Sequence, residues 1–62
     1  MPNNIKSLID SKGLKKSYVA EKAGISESHL RKITKGESIP SLPISRKIAD
    51  VLGESVEKVF PD

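Results

Sequence analysis

The side chains best suited to chemistry with another molecule lie close together in this sequence, between residues 27 and 35. If this segment is a helix, Leu30 and Ile33 face inward, because residues three apart share a helix face. The polar residues then face outward: Glu27, Ser28, His29, Arg31 and Lys32. Such side chains donate and accept hydrogen bonds, and each base pair displays a distinct donor and acceptor pattern in the major groove of DNA. The segment therefore predicts a helix that reads DNA bases.

This segment is the second of two short helical patterns that meet at a tight corner, Gly24-Ile25-Ser26. Gly24 suits the end of the first helix, because glycine adopts the left-handed conformation without the cost of a Cβ atom. Ser26 suits the start of the second helix, because its hydroxyl accepts a hydrogen bond from a free backbone N–H. Two helices joined in this way predict a helix-turn-helix, whose second helix enters the major groove.

The length and composition of the chain limit what it can be. Its 62 residues allow one domain, over residues 1–62, with a small core. A chain of this size buries only about 60% of its unfolded surface when it folds. The absence of cysteine excludes disulfides and cysteine metal sites and suits a reducing compartment. No apolar stretch approaches the ~20 residues of a membrane span, and the N-terminal MPNNIKSLID lacks the apolar core of a signal peptide. We therefore expect a soluble, cytoplasmic protein with no membrane partner.

Positive charge is concentrated on the two helical patterns. Residues 12–35 contain seven Lys and Arg against two Glu, a balance of +5, whereas the remaining residues contain four Lys and Arg against six Asp and Glu, a balance of −2. A surface that faces phosphates requires such an excess. The alternative is an ordinary solvated, lysine-rich surface, since the sequence has no long basic run.

Five helices account for the apolar pattern, and no segment alternates as a strand would. They are expected from about Asn4 to Ser11, from Lys16 to Ala23, from just after Ser26 to about Lys35, from near Ser41 to Gly53, and from a cap at Ser55 to a stop at Pro61. The predicted inward positions are Ile5, Leu8, Ile9, Val19, Ala20, Ala23, Leu30, Ile33, Ile44, Ile48, Ala49, Leu52, Val56, Val59 and Phe60. Helices this short, with joints of two to six residues, predict a compact all-α domain.

The sequence resembles the phage repressor and Cro family of helix-turn-helix regulators, also called XRE-like, over nearly its whole length. The positions that carry the resemblance are Gly13-Leu14, Val19-Ala20, Gly24-Ile25-Ser26, Leu30, Ile33, Gly36, Pro40-Ser41-Leu42, Ile48-Ala49, Leu52-Gly53 and Ser55 to Phe60. The resemblance implies a five-helix, lambda-repressor-like fold that binds operator DNA, usually as a dimer.

Four residues at the front of the third helix match the base-reading positions of the family: Glu27, Ser28, His29 and Lys32. Lys32 can donate to guanine O6 and N7, Glu27 can accept from cytosine N4, and Ser28 can do either. The alternatives are that Glu27 only stabilises the positive end of the helix, that Lys32 is only solvated, and that His29 is an ordinary exposed residue. One histidine without cysteine makes neither a zinc site nor a catalytic triad, so we expect no metal.

Phosphate contacts are expected from Lys15, Lys16, Ser17, Arg31 and Lys35. Lys16 and Ser17 stand at the start of the second helix, where backbone N–H groups and positive charge converge. Family members favour Ser and then Gln at this point, whereas this chain has Lys15 and then Lys16. Lysine is a poor N-cap and its charge opposes the helix dipole, a cost that a bound phosphate would reverse. Arg31 can reach a base, a phosphate or an acidic residue elsewhere, and we favour a contact with DNA.

The sequence offers no catalytic arrangement. It has no glycine-rich phosphate loop, no metal cluster and no nucleophile with a plausible base, so we expect no enzymatic activity, cofactor or small-molecule ligand. The prediction is a sequence-specific transcriptional regulator, a repressor, that binds double-stranded operator DNA. One alternative is a protein-interaction module, such as an antitoxin or antirepressor partner, because a fold does not determine a function. Another is the DNA-binding half of a longer repressor.

A homodimer is expected, at least on DNA, because one recognition helix reads only a few base pairs. Members of the family place two such helices on half-sites about 34–36 Å apart. Apolar residues before the fourth helix and in the last helix are candidates for the dimer surface: Ile39, Leu42, Val59 and Phe60. For Val59 and Phe60, the favoured interpretation is instead that they close the core of the monomer.

Overall fold

The computed structural model describes residues 3–61, and this part of the chain contains five short α-helices. They are α1 (Ile5–Lys12), α2 (Lys16–Ala23), α3 (Glu27–Thr34), α4 (Leu42–Leu52) and α5 (Val56–Val59). The described residues contain no strand, so the all-α prediction with five helices is confirmed.

The helix bounds agree with the predicted ones to within about a residue. The bounds of α2 are as predicted, whereas α1 begins and ends one residue later than expected. The prediction for α3 ran to Lys35, but the helix ends at Thr34 and Lys35 is its C-cap. The last turn of a helix frays into capping geometry, so a difference of this size is ordinary.

Serine side chains cap the N-termini of three of the five helices. Ser26 Oγ accepts from the His29 N–H at 3.0 Å at the start of α3, and Ser55 Oγ accepts from the Lys58 N–H at 3.2 Å at the start of α5. At the start of α4, Ser41 Oγ accepts from the Ile44 N–H at 3.4 Å. Each cap satisfies one of the N–H groups that a helix leaves without an intrahelical partner.

The core is built by all five helices, and α2 lies at its centre. The buried apolar residues are Ile5, Leu8, Ile9, Val19, Ala20, Ala23, Leu30, Ile33, Ile48, Ala49, Leu52, Val59 and Phe60. Ile44 and Val56, also predicted to face inward, are only partly buried against this core. Helix α2 packs against both α3 and α4, and α4 packs against α5. The small residues Ala20 and Ala23 of α2 are almost completely buried and allow α2 to pack closely against its neighbours.

Val59 and Phe60 belong to this core, since Val59 is fully buried and Phe60 is only 6% exposed. The structure therefore confirms that they close the monomer, and it removes them from the candidate dimer surface. Ile39 and Leu42, the other two candidates, keep 78% and 58% of their surfaces exposed.

Candidate nucleic-acid interface

The outer face of α3 carries the predicted base-reading residues. Glu27, Ser28 and Lys32 are exposed, and His29 is half-buried. The opposite face places Leu30 and Ile33 in the core, each 1% exposed. The predicted division of this helix into a polar outer face and an apolar inner face is therefore confirmed, with His29 less exposed than expected, and the other polar side chains are accessible to a ligand.

The charged groups of α3 are not paired with one another or with other residues of the described chain. Within residues 3–61 the one ion pair joins Lys12 Nζ to Glu54 Oε2 at 3.1 Å. Arg31, for which a contact with DNA was favoured over an acidic partner, has no acidic partner among these residues. Arg31, Lys32 and Lys35 are exposed, so three unpaired cations follow one another along the second half of the helix and its C-cap.

The start of α2 differs from the start of the other helices. Its N-cap residue is Lys15, in extended conformation with φ −96° and ψ 141°, and no side chain accepts a hydrogen bond there. Lys15, Lys16 and Ser17 are all exposed. Free backbone N–H groups, the positive end of the helix dipole and two ammonium groups therefore share one small region of the surface, an arrangement that attracts an anion such as phosphate.

The corner between α2 and α3 has the geometry expected from its glycine. Gly24 has φ +75°, and its N–H donates to the Glu21 carbonyl at 3.1 Å. The Ile25 N–H donates to the Ala20 carbonyl at 3.0 Å, and the Ile25 side chain packs partly buried against the core. These contacts set the angle at which α3 leaves α2, and so they set where the polar face of α3 points.

Two lysines change the charge distribution that the sequence suggested. Lys12 contributed to the balance of +5 for residues 12–35, but its ammonium is bound to Glu54 in the α4–α5 loop. Conversely, Lys47 belongs to α4, yet its ammonium group lies beside the α2–α3 corner. Its Nζ would be 3.9 Å from a methyl group added at Gly24. The fold therefore removes one cation from the helix-turn-helix and adds another, and no local pattern in the sequence signals either change.

Other kinds of site find no support in the described residues. Residues 3–61 contain no pocket and no group of three or more His, Cys, Asp or Glu that could hold a metal ion. No helix in this part of the chain is long and apolar enough to cross a membrane.

The five-helix fold, the glycine corner and the polar outer face of α3 together define a DNA-binding helix-turn-helix regulator. A family model described as helix-turn-helix matches residues 5–59, which is most of the chain. The chain belongs to this family, the XRE family of Cro and phage-repressor type, and the resemblance found in the sequence is confirmed. A comparison with curated protein sequences finds no match.

Proposed function

We propose that this protein is a sequence-specific regulator of transcription, a repressor, that inserts α3 into the major groove of double-stranded DNA. The observation that carries the proposal is the outer face of α3, where exposed polar and cationic side chains have no ion-pair partner in residues 3–61. A domain bound to an operator excludes other proteins from the same DNA, which is the simplest form of repression. The function is binding, and no chemical step is part of it.

Base reading is assigned to the front of α3. Lys32 donates to guanine O6 and N7, Glu27 accepts from the cytosine N4 amino group, and Ser28 serves as donor or acceptor. His29 is half-buried, so only part of its ring is available to a base. Ser26 already binds the His29 N–H, and the start of α3 is therefore held in helical geometry before DNA arrives.

Phosphate contacts set the register of the protein on DNA and are assigned to two regions. Lys15, Lys16 and Ser17 bind one phosphate at the open start of α2, where no side chain competes for the backbone N–H groups. Arg31 and Lys35 bind another at the end of α3. Because both regions are cationic and exposed, affinity should fall steeply as salt concentration rises.

The dimensions of the domain are consistent with the proposed dimer on DNA. Its longest extent is 25 Å, which is less than the spacing of about 34–36 Å between half-sites that face the same side of the duplex. One copy cannot reach both half-sites, so two copies are required to read them. Ile39 and Leu42 form the apolar surface assigned to the contact between the copies, and because that surface is small, we expect the dimer to be completed on DNA.

The experiment for the proposal is selection of bound sequences from a random duplex pool, followed by affinity measurements at several salt concentrations. The logarithm of affinity should fall linearly with the logarithm of salt, by about 0.9 for each phosphate neutralised. Lys16→Ala should weaken binding to all duplexes and reduce the slope by about 1. Lys58→Ala is the matched control, since it removes an exposed lysine from α5, outside both assigned regions.

A lack of duplex binding at low salt, or a slope that Lys16→Ala and Lys58→Ala change equally, would contradict the proposal. Absence of any enriched sequence would instead favour the protein-interaction alternative. The dimer is tested by sedimentation of the free protein beside its stoichiometry on a selected operator. One protein per operator at saturation would refute it, and replacing Ile39 and Leu42 with serine should weaken operator binding more than binding of a single half-site.

A further inference from the structure

The side chain of Asn3 joins two helices that are far apart in the sequence. Its Nδ2 donates to the Ile33 carbonyl at 2.8 Å, across 30 positions of the chain. Its Oδ1 accepts from the Ile5 N–H at 3.2 Å, at the start of α1. One amide group therefore connects the first turn of α1 to the last turn of α3, the helix assigned to base reading.

The acceptor of this bond is a carbonyl in the last turn of α3. The last four carbonyls of a helix have no intrahelical partner, and the Ile33 carbonyl is one of them. It also accepts from the Gly36 N–H at 3.0 Å, so Asn3 satisfies its second lone pair. Helix α3 is held in the core by only two fully buried side chains, Leu30 and Ile33.

We propose that Asn3 is a positioning residue for DNA recognition, and this inference rests on the proposed function. With its last turn tied to α1, α3 is prevented from rotating about its two core anchors. The exposed cations Lys32 and Lys35 on this part of the helix are then held at a constant position relative to the phosphate-binding start of α2. Loss of the bond should therefore affect the discrimination between DNA sequences more than it affects binding to DNA in general.

The neighbouring asparagine provides an internal control of the same chemistry. Asn4 Nδ2 donates to the Lys58 carbonyl at 2.7 Å, and the Asn4 N–H donates to the Val59 carbonyl at 2.8 Å. Both acceptors belong to α5, which carries no residue assigned to DNA. Two adjacent asparagines thus each bind a helix carbonyl, but only Asn3 binds the recognition helix.

The test compares Asn3→Asp with Asn4→Asp. Each substitution replaces one Nδ2 donor by an oxygen and adds one negative charge, and comparing a selected with a random duplex removes the effect that this charge has on all duplexes. Asn3→Asp keeps an oxygen that can accept from the Ile5 N–H, and Asn4→Asp keeps its backbone bond to Val59. Asn3→Ser, which is uncharged and keeps an oxygen, provides a second variant should Asn3→Asp fail to fold.

The quantity to measure is the ratio of affinities for a selected duplex and a random duplex, at a temperature where each variant is folded by circular dichroism. Asn3→Asp should lower this ratio by roughly 2- to 10-fold, the equivalent of one hydrogen bond, while Asn4→Asp leaves it unchanged. The Gly36 amide, which binds the Ile33 carbonyl, should also exchange its hydrogen faster in Asn3→Asp than in Asn4→Asp.

Equal ratios in the two aspartate variants, or an unchanged Gly36 exchange rate in Asn3→Asp, would overturn the assignment of Asn3 while leaving the proposed function in place. If the unmodified protein binds no duplex at low salt, the proposed function itself fails and this inference fails with it. The two failures are therefore distinguishable, because the first requires normal binding by the unmodified protein.

Discussion

The two helices of the helix-turn-helix have the same length but opposite organisation. Helix α2 buries Val19, Ala20 and Ala23 between α3 and α4, and its first turn has no side-chain cap. Helix α3 has its first turn capped by Ser26 and buries only two residues. Helix α2 is therefore held by packing along its length, and its first N–H groups have no side-chain cap. Helix α3 has a capped first turn, and its outer face is exposed to solvent.

The difference shows how one small domain separates stability from recognition. Backbone N–H groups are available for a phosphate on α2, because no side chain occupies them. On α3 the Ser26 side chain already binds the His29 N–H, so we expect contact with DNA to come mainly from side chains. Stability should accordingly be sensitive to the inner face of α3 and to the corner, and DNA binding should be sensitive to the outer face of α3 and the start of α2.

The largest effect is expected from Leu30→Ala, on the inner face of α3. Leu30 is 1% exposed, and its truncation should lower the free energy of unfolding by about 2–5 kcal/mol. A domain of this size has a total of roughly 3–9 kcal/mol, so the variant should unfold at a clearly lower urea concentration than the parent. Ser28→Ala, on the exposed face, is the control and should change stability by less than about 0.5 kcal/mol. Similar losses in urea denaturation for both variants would contradict the division of α3 into two faces.

A smaller effect is expected from Lys32→Ala, on the outer face of the same helix. If Lys32 reads a base, the substitution should cost about 1–3 kcal/mol of binding free energy on the selected duplex and clearly less on a random duplex. The thermal stability should stay nearly unchanged, because the side chain is exposed and unpaired among residues 3–61. Equal losses on both duplexes would make Lys32 a phosphate contact.

The corner that joins the two helices is tested by Gly24→Ala. An added Cβ meets only the Lys47 Nζ at 3.9 Å, an ordinary contact, so the cost arises from the left-handed backbone with φ +75°. We expect a loss of about 1–2 kcal/mol in unfolding free energy. Gly24→Asn should lose less, because asparagine tolerates this conformation better than other non-glycine residues. An alanine variant as stable as the parent in thermal denaturation would show that the corner relaxes.

The smallest effect, and the one that separates the two helices most clearly, is expected from Lys15→Ser. Serine would cap α2 as Ser26 caps α3, and the free energy of unfolding should rise by about 1 kcal/mol. At the same time the variant loses a cation and its serine occupies one of the open N–H groups, so its DNA affinity should fall and its salt slope should decrease by about 1. A variant that is more stable and binds DNA equally well would remove the start of α2 from the interface.

Local sequence patterns predicted most of the fold. The bounds of α2 and the inward positions of α3 followed from glycines, serine caps and the helical spacing of apolar residues, all of which act within one or two turns. The start of α1 was placed one residue early, since Asn4 is the N-cap, and its N–H and side chain bind carbonyls of α5. Such long-range bonds leave no periodic signal.

The sequence predicted which face of α3 is exposed. It did not predict which lysines near the site are paired, or which residues outside the helix-turn-helix hold α3 in place. The polar face of α3 follows from the positions of Leu30 and Ile33. The pairing of Lys12 with Glu54 joins residues 42 positions apart, and the bond from Asn3 to Ile33 spans 30. Both depend on how the helices pack, which the spacing of residues along one helix does not specify.

The bonds between Asn4 and α5 have a consequence for the order in which the domain folds. The side-chain bond alone closes a separation of 54 positions, and the entropy cost of loop closure grows with the length of the loop. The contacts of the α2–α3 corner span only a few residues and can form while the chain is still being made. During synthesis Asn4 leaves the ribosome before residues 58 and 59, which carry its partners. We therefore expect the helix-turn-helix to assemble before α1 joins α5.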